Sequence, residues 1–228
     1  MINPVDDPYL NWRQPLSPLV LKPESTALLV IDMQYSNSDV NEGIFALKRA
    51  RGLEVGLEYY AQAMRTVVPN IRRLQDACRA FGIEVMFSHN QCMTRDGRDR
   101  GRMHKDFEIL CPPGSRQAAI LEEIAPAGDE IVFSKSTSSV FNSTPIHHVL
   151  VSMGIRDLMM CGVMTSGCVE STVRDAADLG YGVIMVSDAC ASWTEELHFA
   201  SLRVMGGVYA RINNVDQVLN AVHSGKSV

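Results

Sequence analysis

Three side chains that could act together on a carbonyl compound are far apart in the sequence, yet each comes at the end of a strand-like run or soon after one. Asp32 follows TALLVI, Lys135 ends EIVFSK, and Cys168 comes after DLMMCGV and a turn of small residues. Together they offer a proton acceptor, a cation and a nucleophile. The chemistry this predicts is attack of sulfur on a carbonyl carbon, with the thiol proton later given to a departing amine.

The segment CGVMTSGCVEST, from Cys161 to Thr172, puts the thiol where a helix is expected to begin. A free thiol has a pKa of about 8.5, so at neutral pH only a few per cent of it is thiolate. A nearby cation and a helix N-terminus both lower that pKa, and we expect both effects on Cys168. Gly167 is expected to let the backbone come close, so that N–H groups of the turn can hold an oxyanion.

Each of these residues also has a purely structural interpretation. An aspartate after a strand is commonly a turn or cap residue, a lysine there is commonly solvated, and a lone cysteine commonly packs in the core. The catalytic interpretation therefore depends on whether the three side chains meet at one place.

The alternation of strand and helix patterns predicts where they lie. Six segments have the composition of strands, and between them come helical patterns, the longest from Leu57 to Phe81 with a break or kink expected at Pro69. This order predicts an α/β fold, doubly wound, with a six-stranded, mostly parallel sheet and helices on both faces. In such sheets, sites form beyond the carboxyl ends of the strands. The strand segments are TALLVI, IEVMFS, EIVFSK, DLMMCGV, GVIMVSD and GVYARI.

Composition limits the number of domains and the kinds of partner that the chain can have. The chain has 228 residues, 46% of them hydrophobic, and a net charge of −5, which is typical of one globular domain and gives no reason to expect a nucleic acid or membrane partner. No apolar run approaches the ~20 residues of a membrane span. We predict an extended N-terminal arm over residues 1–24, which hold five of the ten prolines, and one domain over 25–228.

Six cysteines are scattered through the chain without a C-x-x-C pair, and the N-terminus has no export signal. This usage favours reduced thiols and a cytoplasmic protein. The cysteines other than Cys168 are expected to pack as small hydrophobic residues.

Three motifs together resemble the isochorismatase-like cysteine hydrolase superfamily. They are ALLVIDMQ around Asp32, FSKSTSSVFNST around Lys135 and CGVMTSGCVESTVRDAADLGYGVIMVSDAC around Cys168, and the resemblance covers residues 25–222. It implies a triad in which Asp32 is base and acid, Lys135 is the electrostatic partner and Cys168 is the nucleophile. It also implies a cis Val163–Met164 peptide, an oxyanion hole made by the N–H groups of Met164 and Cys168, and a homo-oligomer, either dimer or tetramer.

Differences between this chain and other members of the superfamily narrow the range of expected activities. Metal-dependent nicotinamidases carry a D-x-H motif and further histidines where this chain reads FSHNQCMTRDG, so we expect no metal and no cofactor. The segment SVFNST is similar to the ureidoacrylate, biuret and N-carbamoylsarcosine amidohydrolase branch. The resemblance thus implies a cysteine-dependent amidohydrolase that cleaves a linear C–N bond of a small amide, ureide or carbamoyl compound through a thioester. An isochorismatase, maleamate or nicotinamide hydrolase, or a catalytically silent binding member of the fold, are the alternatives.

Further side chains near the strand ends are candidate substrate contacts. For each, packing in a loop, in the core or against a partner subunit is the competing interpretation. The candidates are Gln34, Tyr35, His89, Asn90, Phe141, Asn142, Trp193 and His198.

Two features suggest other functions. Gly162 and Gly167 have the spacing of a phosphate-binding loop, but Cys168 stands where that loop requires lysine. The arginine-rich segment TRDGRDRGRMHK interleaves its cations with aspartates, which favours a solvated loop or an active-site lid over a nucleic-acid surface.

Overall fold

The computed structural model describes residues 16–54, 56–225 and 227–228, and within them the strands form a six-stranded parallel sheet of order β3-β2-β1-β4-β5-β6. The predicted fold class is thereby confirmed. The strands are β1 Thr26–Ile31, β2 Glu84–Asn90, β3 Val132–Lys135, β4 Asp157–Val163, β5 Gly182–Ala191 and β6 Arg211–Asn213.

Helices connect the strands and cover both faces of the sheet. A long helix packs on the central strands and on β5, and three later helices also pack on β5. Right-handed crossovers explain this arrangement, because the chain moves from β1 toward one edge of the sheet and from β4 toward the other. The helices are α1 Tyr35–Ser38, α2 Gly43–Ala50, α3 Leu57–Phe81, α4 Arg102–Asp106, α5 Ile146–Ser152, α6 Glu170–Asp178, α7 Glu195–Met205 and α8 Val215–Ser224.

The order of the strands determines where a site can form. β1 pairs with β2 on one side and β4 on the other, so the chain reverses direction across the sheet between β1 and β4. The crevice beyond the carboxyl ends of two such strands is the usual ligand site of open α/β sheets. β1 is buried along its whole length, as expected for a central strand covered by helices on both faces.

Several elements differ from the sequence predictions. Helix α3 has the predicted bounds, but it runs through Pro69 without a break and ends at Gly82 in the left-handed conformation. Strand β6 has three residues, fewer than GVYARI suggested. Helices α1, α2 and α4 were missed because each is short or lies in a segment interpreted as loop.

Only part of the predicted arm can be compared with the structure, since residues 1–15 lie outside the described residues. Leu19 exchanges two backbone hydrogen bonds with Val228, at 3.3 and 2.8 Å, so the described start of the chain pairs with its end. The domain boundary at residue 24 stays a prediction. No helix in the described part of the chain is long and apolar enough to cross a membrane.

Candidate active site

Asp32, Lys135 and Cys168 meet at the carboxyl edge of the sheet. Lys135 Nζ lies 2.7 Å from Asp32 Oδ2 and 3.5 Å from Cys168 Sγ. Asp32 follows β1, Lys135 ends β3, and Cys168 follows β4. The lysine must reach past β2 to make these contacts, because neighbouring strands are ~4.8 Å apart and β3 is two strands from β1. A long side chain is therefore required at the end of β3.

Asn90, at the end of the intervening strand β2, fills this span. Its amide Nδ2 donates to Asp32 Oδ2 at 3.0 Å, and its Oδ1 accepts from Lys135 Nζ at 3.0 Å. The asparagine thus contacts the acid and the cation with opposite ends of one amide group. Both polar ends of the side chain are engaged inside the protein, and the substrate contact expected at Asn90 stays a prediction.

The acid and the cation form a buried ion pair. Both side chains are fully excluded from solvent. Lys135 also donates to the carbonyl of Thr137 at 2.9 Å, so the ammonium group has several acceptors to replace water. Burial alone lowers the pKa of Lys135, but the negative charge of Asp32 and the neighbouring Cys168 outweigh it and raise that pKa above its usual value. The lysine therefore stays a cation throughout the physiological pH range.

Asp32 and the strand beside it show the local backbone features of a functional site. Asp32 has φ of 55°, in the left-handed region, which aspartate tolerates better than most residues. In β4, Gly162 has φ of 118°, and a Cβ there would collide with the carbonyl oxygen of Ile31. Glycine is needed at 162 because β4 passes this close to the residue before Asp32.

The turn that carries the thiol differs in one respect from the prediction. A Cβ on Gly167 would meet only Met164 Cβ at 3.6 Å, an ordinary contact, so the close backbone approach that excludes a side chain is at Gly162, while Gly167 has the non-helical angles φ −131° and ψ −105°. The Val163–Met164 peptide is cis, as the resemblance implied. The carbonyl of Met164 accepts from the N–H groups of Gly167 at 2.9 Å and Val169 at 3.2 Å, which closes the turn before α6.

The thiol itself is protonated in the resting site, contrary to the prediction of a lowered pKa. Loss of solvation around Cys168 raises its pKa to about 12, Lys135 works against this, and Asp32 adds to it by charge and by a hydrogen bond with the thiol. Desolvation and the carboxylate together outweigh the cation. The resting state is thus a neutral thiol beside an ionised carboxylate and an ammonium ion.

This protonation state predicts a distinctive pH profile for alkylation of Cys168 by iodoacetamide. Because the thiolate is the reacting form and the pKa is about 12, labelling should be slow at pH 7 and rise about tenfold per pH unit to pH 10 without a plateau. Mass spectrometry of the labelled peptide measures it, with Cys168→Ser as the blank. A plateau at or below pH 8.5 would show that the cation outweighs desolvation.

Two other predicted substrate contacts are used inside the protein. Gln34 is fully buried, and its amide donates to the carbonyls of Asn90 at 3.0 Å and Gln117 at 2.8 Å while its oxygen accepts from the Asn90 N–H at 2.6 Å. His198 is buried and shares a 2.9 Å hydrogen bond with the Thr165 hydroxyl. Both side chains have hydrogen-bond partners inside the protein, and a substrate contact at either stays a prediction.

The remaining candidates stay predictions, and the structure places them as follows. His89 is half-buried, with its ring nitrogens 2.6 Å from the Ala118 carbonyl oxygen and 2.9 Å from Ser134 Oγ. The Arg116 guanidinium lies 3.8 Å from the centre of the Tyr35 ring. Phe141 is half-buried and its ring faces that of Tyr181, while Asn142 is exposed.

Trp193 lies in a different setting. Its ring packs beside Phe45 and Tyr60, with the Lys48 ammonium 4.8 Å above it. It lines an apolar surface groove of about 320 Å³ together with residues of α2. The ring contacts of Trp193 are thus with Phe45, Tyr60 and Lys48, and a substrate contact at Trp193 stays a prediction.

Sequence reasoning missed His104 in the arginine-rich segment. It is buried and lines a small cavity with Asn90 and Lys135. Burial lowers the pKa of its imidazole, and the positive charge of Lys135 adds to this effect. The sequence offered no signal for it, because the segment has no hydrophobic periodicity. Two exposed arginines of the segment form ion pairs, Arg98 with Asp96 and Arg102 with Asp106.

Cys78, Cys92, Cys111, Cys161 and Cys190 are buried free cysteines, as expected for core packing. Within residues 16–54, 56–225 and 227–228, no group of three or more His, Cys, Asp or Glu side chains could hold a metal ion. The expected absence of a metal stays a prediction.

The model of the isochorismatase domain matches residues 26–217. The chain belongs to the isochorismatase family. It is similar to the ureidoacrylate amidohydrolase RutB of Agrobacterium fabrum, at 30% identity over 188 residues, which is 75% of this chain and 78% of that protein. The N-carbamoylsarcosine amidase of an Arthrobacter species is 30% identical over 178 residues, 76% of this chain and 64% of that one.

Solved structures of the isochorismatase family agree in fold. A cysteine hydrolase from Pseudomonas syringae pv. phaseolicola 1448A superposes with a TM-score of 0.79 at 24% identity, covering 93% of this chain and 99% of that one. At this identity the likeness establishes the fold alone. The family and the amidohydrolase branch predicted from the three motifs are confirmed.

Proposed function

We propose that this protein hydrolyses a linear C–N bond of a small ureide, carbamoyl or amide compound through a thioester on Cys168. The family and its relatives make the chain a hydrolase of C–N bonds; the cysteine route and the class of substrate are the proposal. The observation that carries it is the meeting of Cys168 and Asp32 around the Lys135 ammonium group in a buried site.

The protonation states define how the reaction begins. A neutral thiol is a weak nucleophile, so its proton must leave as the sulfur attacks, and the hydrogen bond from the thiol to Asp32 provides the acceptor. The charge of Lys135 then stabilises the carboxylate before the transfer and the developing anion after it. Asp32 therefore acts as the general base expected from the sequence, without the lowered thiol pKa that was also expected.

The following steps conserve atoms and charge. Sulfur bonds to the carbonyl carbon, the oxyanion is held by the N–H groups of Met164 and Cys168, and the C–N bond breaks as Asp32 gives its proton to the leaving nitrogen. Water then adds to the thioester, Asp32 takes a proton from it, and the C–S bond breaks. The thiol recovers its proton, so the net change is amide plus water to acid plus amine.

The substrate class comes from two relatives. The names of ureidoacrylate amidohydrolase and N-carbamoylsarcosine amidase refer to a ureido and a carbamoyl compound. We carry that class to this chain because its motifs and the SVFNST segment are similar to that branch. The predicted homo-oligomer belongs to the same proposal.

A screen for ammonia release tests the function. The purified protein is incubated with a ureide, an N-carbamoyl amino acid, biuret, maleamate and nicotinamide, each with and without EDTA. We expect release from at least one ureido or carbamoyl compound, unchanged by the chelator. The wild type and Cys168→Ala are run in parallel, so that contaminating activity is recognised.

Two outcomes contradict this function. Cleavage of a vinyl ether without ammonia from any amide or ureide would favour the isochorismatase alternative. Loss of ammonia release on chelation, with recovery on adding zinc or iron, would favour a metal-dependent nicotinamidase type of reaction.

A further inference from the structure

The turn that carries the nucleophile is held by side chains from the segment that follows β5. Within residues 164–168, Thr165 Oγ1 lies 2.9 Å from His198 Nδ1, and Ser166 Oγ lies 2.6 Å from Ser192 Oγ. Ser192 directly follows β5, and His198 lies in α7. These contacts connect the turn to elements other than β1 and β3, which carry Asp32 and Lys135.

Helix α7 is built to present two polar residues to this turn. Thr194 caps its start by accepting from the Leu197 N–H at 3.2 Å. His198 and Ser201 are three residues apart, so they lie on one face of the helix, and both are buried. The opposite face, with Leu197 and Phe199, is exposed.

Ser201 supports the turn and the following helix together. Its hydroxyl lies 3.1 Å from the carbonyl oxygen of Thr165 and 2.6 Å from Glu170 Oε2. One proton is therefore shared between an acceptor in the turn and an acceptor at the start of α6. Glu170 is in turn paired with Arg174 at 2.9 Å, which fixes its carboxylate.

Buried polar side chains such as these are held in one conformation, because a buried donor or acceptor without a hydrogen-bond partner lowers the stability of the fold. His198 is buried enough that desolvation lowers its pKa, while Glu195 works against this, so the imidazole is neutral at pH 7 and can share the hydrogen bond with Thr165. Thr165 itself is fully buried and sits between Met164 and Cys168, whose N–H groups we assign to the oxyanion hole.

We infer that His198, through Thr165, is a positioning residue that holds the oxyanion-hole turn in its reactive geometry. This inference rests on the proposed function and names a residue for it. The consequence is a specific kinetic effect: the turn amides bind the oxyanion more strongly than the ground-state carbonyl, so loosening them lowers kcat and leaves KM nearly unchanged. A substrate contact at His198 would instead raise KM.

Paired variants separate the hydrogen bond from the volume of the side chain. His198→Phe keeps the ring and loses Nδ1, whereas His198→Asn puts an amide near the position of Nδ1. Thr165→Val and Thr165→Ser make the same distinction on the other side. We expect His198→Phe and Thr165→Val each to lower kcat by about 10–100-fold, with most of the rate recovered in His198→Asn and Thr165→Ser.

The double variant His198→Phe/Thr165→Val tests whether both residues act through one bond. Its loss of kcat should match that of either single variant, because the bond can be broken only once. Leu197→Ala, on the exposed face of α7, is the control and should leave kcat unchanged. Hydrogen exchange measured by mass spectrometry gives a readout without substrate, and the peptide covering residues 164–168 should exchange faster in the two variants that break the bond.

The outcomes of these experiments distinguish failure of this inference from failure of the proposed function. Unchanged kcat and unchanged exchange in His198→Phe, while Cys168→Ala is inactive, overturn this inference and leave the function standing. A rise in KM without a fall in kcat assigns His198 to substrate binding and also overturns it. Full activity in Cys168→Ala overturns the proposed function, and the exchange data then decide the structural part alone.

Discussion

Replacing Cys168 with alanine is expected to lower kcat by at least about 10⁴-fold, because the variant has no atom that can form the thioester. The fold should persist, since the residue is half-buried and its side chain is replaced by a smaller apolar one. The measurement is steady-state ammonia release, together with thermal unfolding to show that the variant is folded.

Cys168→Ser is the matched control for this result. A hydroxyl is a poorer nucleophile than sulfur, so this variant should be nearly as inactive as Cys168→Ala while the shape of the site is preserved. Mass spectrometry of wild type quenched with acid during turnover should detect the acyl group on Cys168. Turnover by Cys168→Ala within a few fold of wild type would remove the nucleophile assignment.

Replacing Lys135 with methionine is expected to affect both activity and stability. The side chain of Asp32 is completely buried, and removing its cation leaves an uncompensated carboxylate, which costs about 3–5 kcal/mol in the free energy of unfolding. The variant also loses the charge that stabilises the carboxylate and the developing anion, so kcat should fall by about 10³-fold. Chemical denaturation and ammonia release measure the two effects.

The double variant Asp32→Asn/Lys135→Met separates the two consequences. Removing both charges should recover part of the lost stability, because no buried charge is then unpaired, whereas activity stays lost. Arg72→Met is the control, because Arg72 and Asp76 form an exposed pair whose loss should cost less than about 1 kcal/mol. Equal instability in the single and double variants would contradict a compensated buried pair.

The sequence predicted the sheet and the triad better than the surroundings of the triad. Continuous apolar runs marked the central strands. A residue at the carboxyl end of a parallel strand lies at the edge of the sheet where sites form, so Asp32 and Lys135 could be assigned to the site from the sequence. A break or kink was expected at Pro69, and the break is absent because packing against the sheet maintains a helix that local preference would interrupt.

The protonation of the thiol could not be predicted from residue types. A cation and a helix start both suggested a lowered pKa, but the outcome depends on desolvation and on the distance of Asp32, which only the folded site determines. The same holds for Asn90, Gln34 and His198. Their position beside strand ends indicated the site, but only their hydrogen-bond partners show that they hold other residues.

Because the thiol of Cys168 keeps its proton between turnovers, the enzyme should resist inactivation by oxidation. Peroxides oxidise the thiolate and react slowly with the protonated form, so the raised pKa of Cys168 slows the first step toward sulfenic acid. The sulfur becomes a strong nucleophile only when a substrate occupies the site and Asp32 takes the thiol proton, and it reacts slowly with oxidants in the free enzyme.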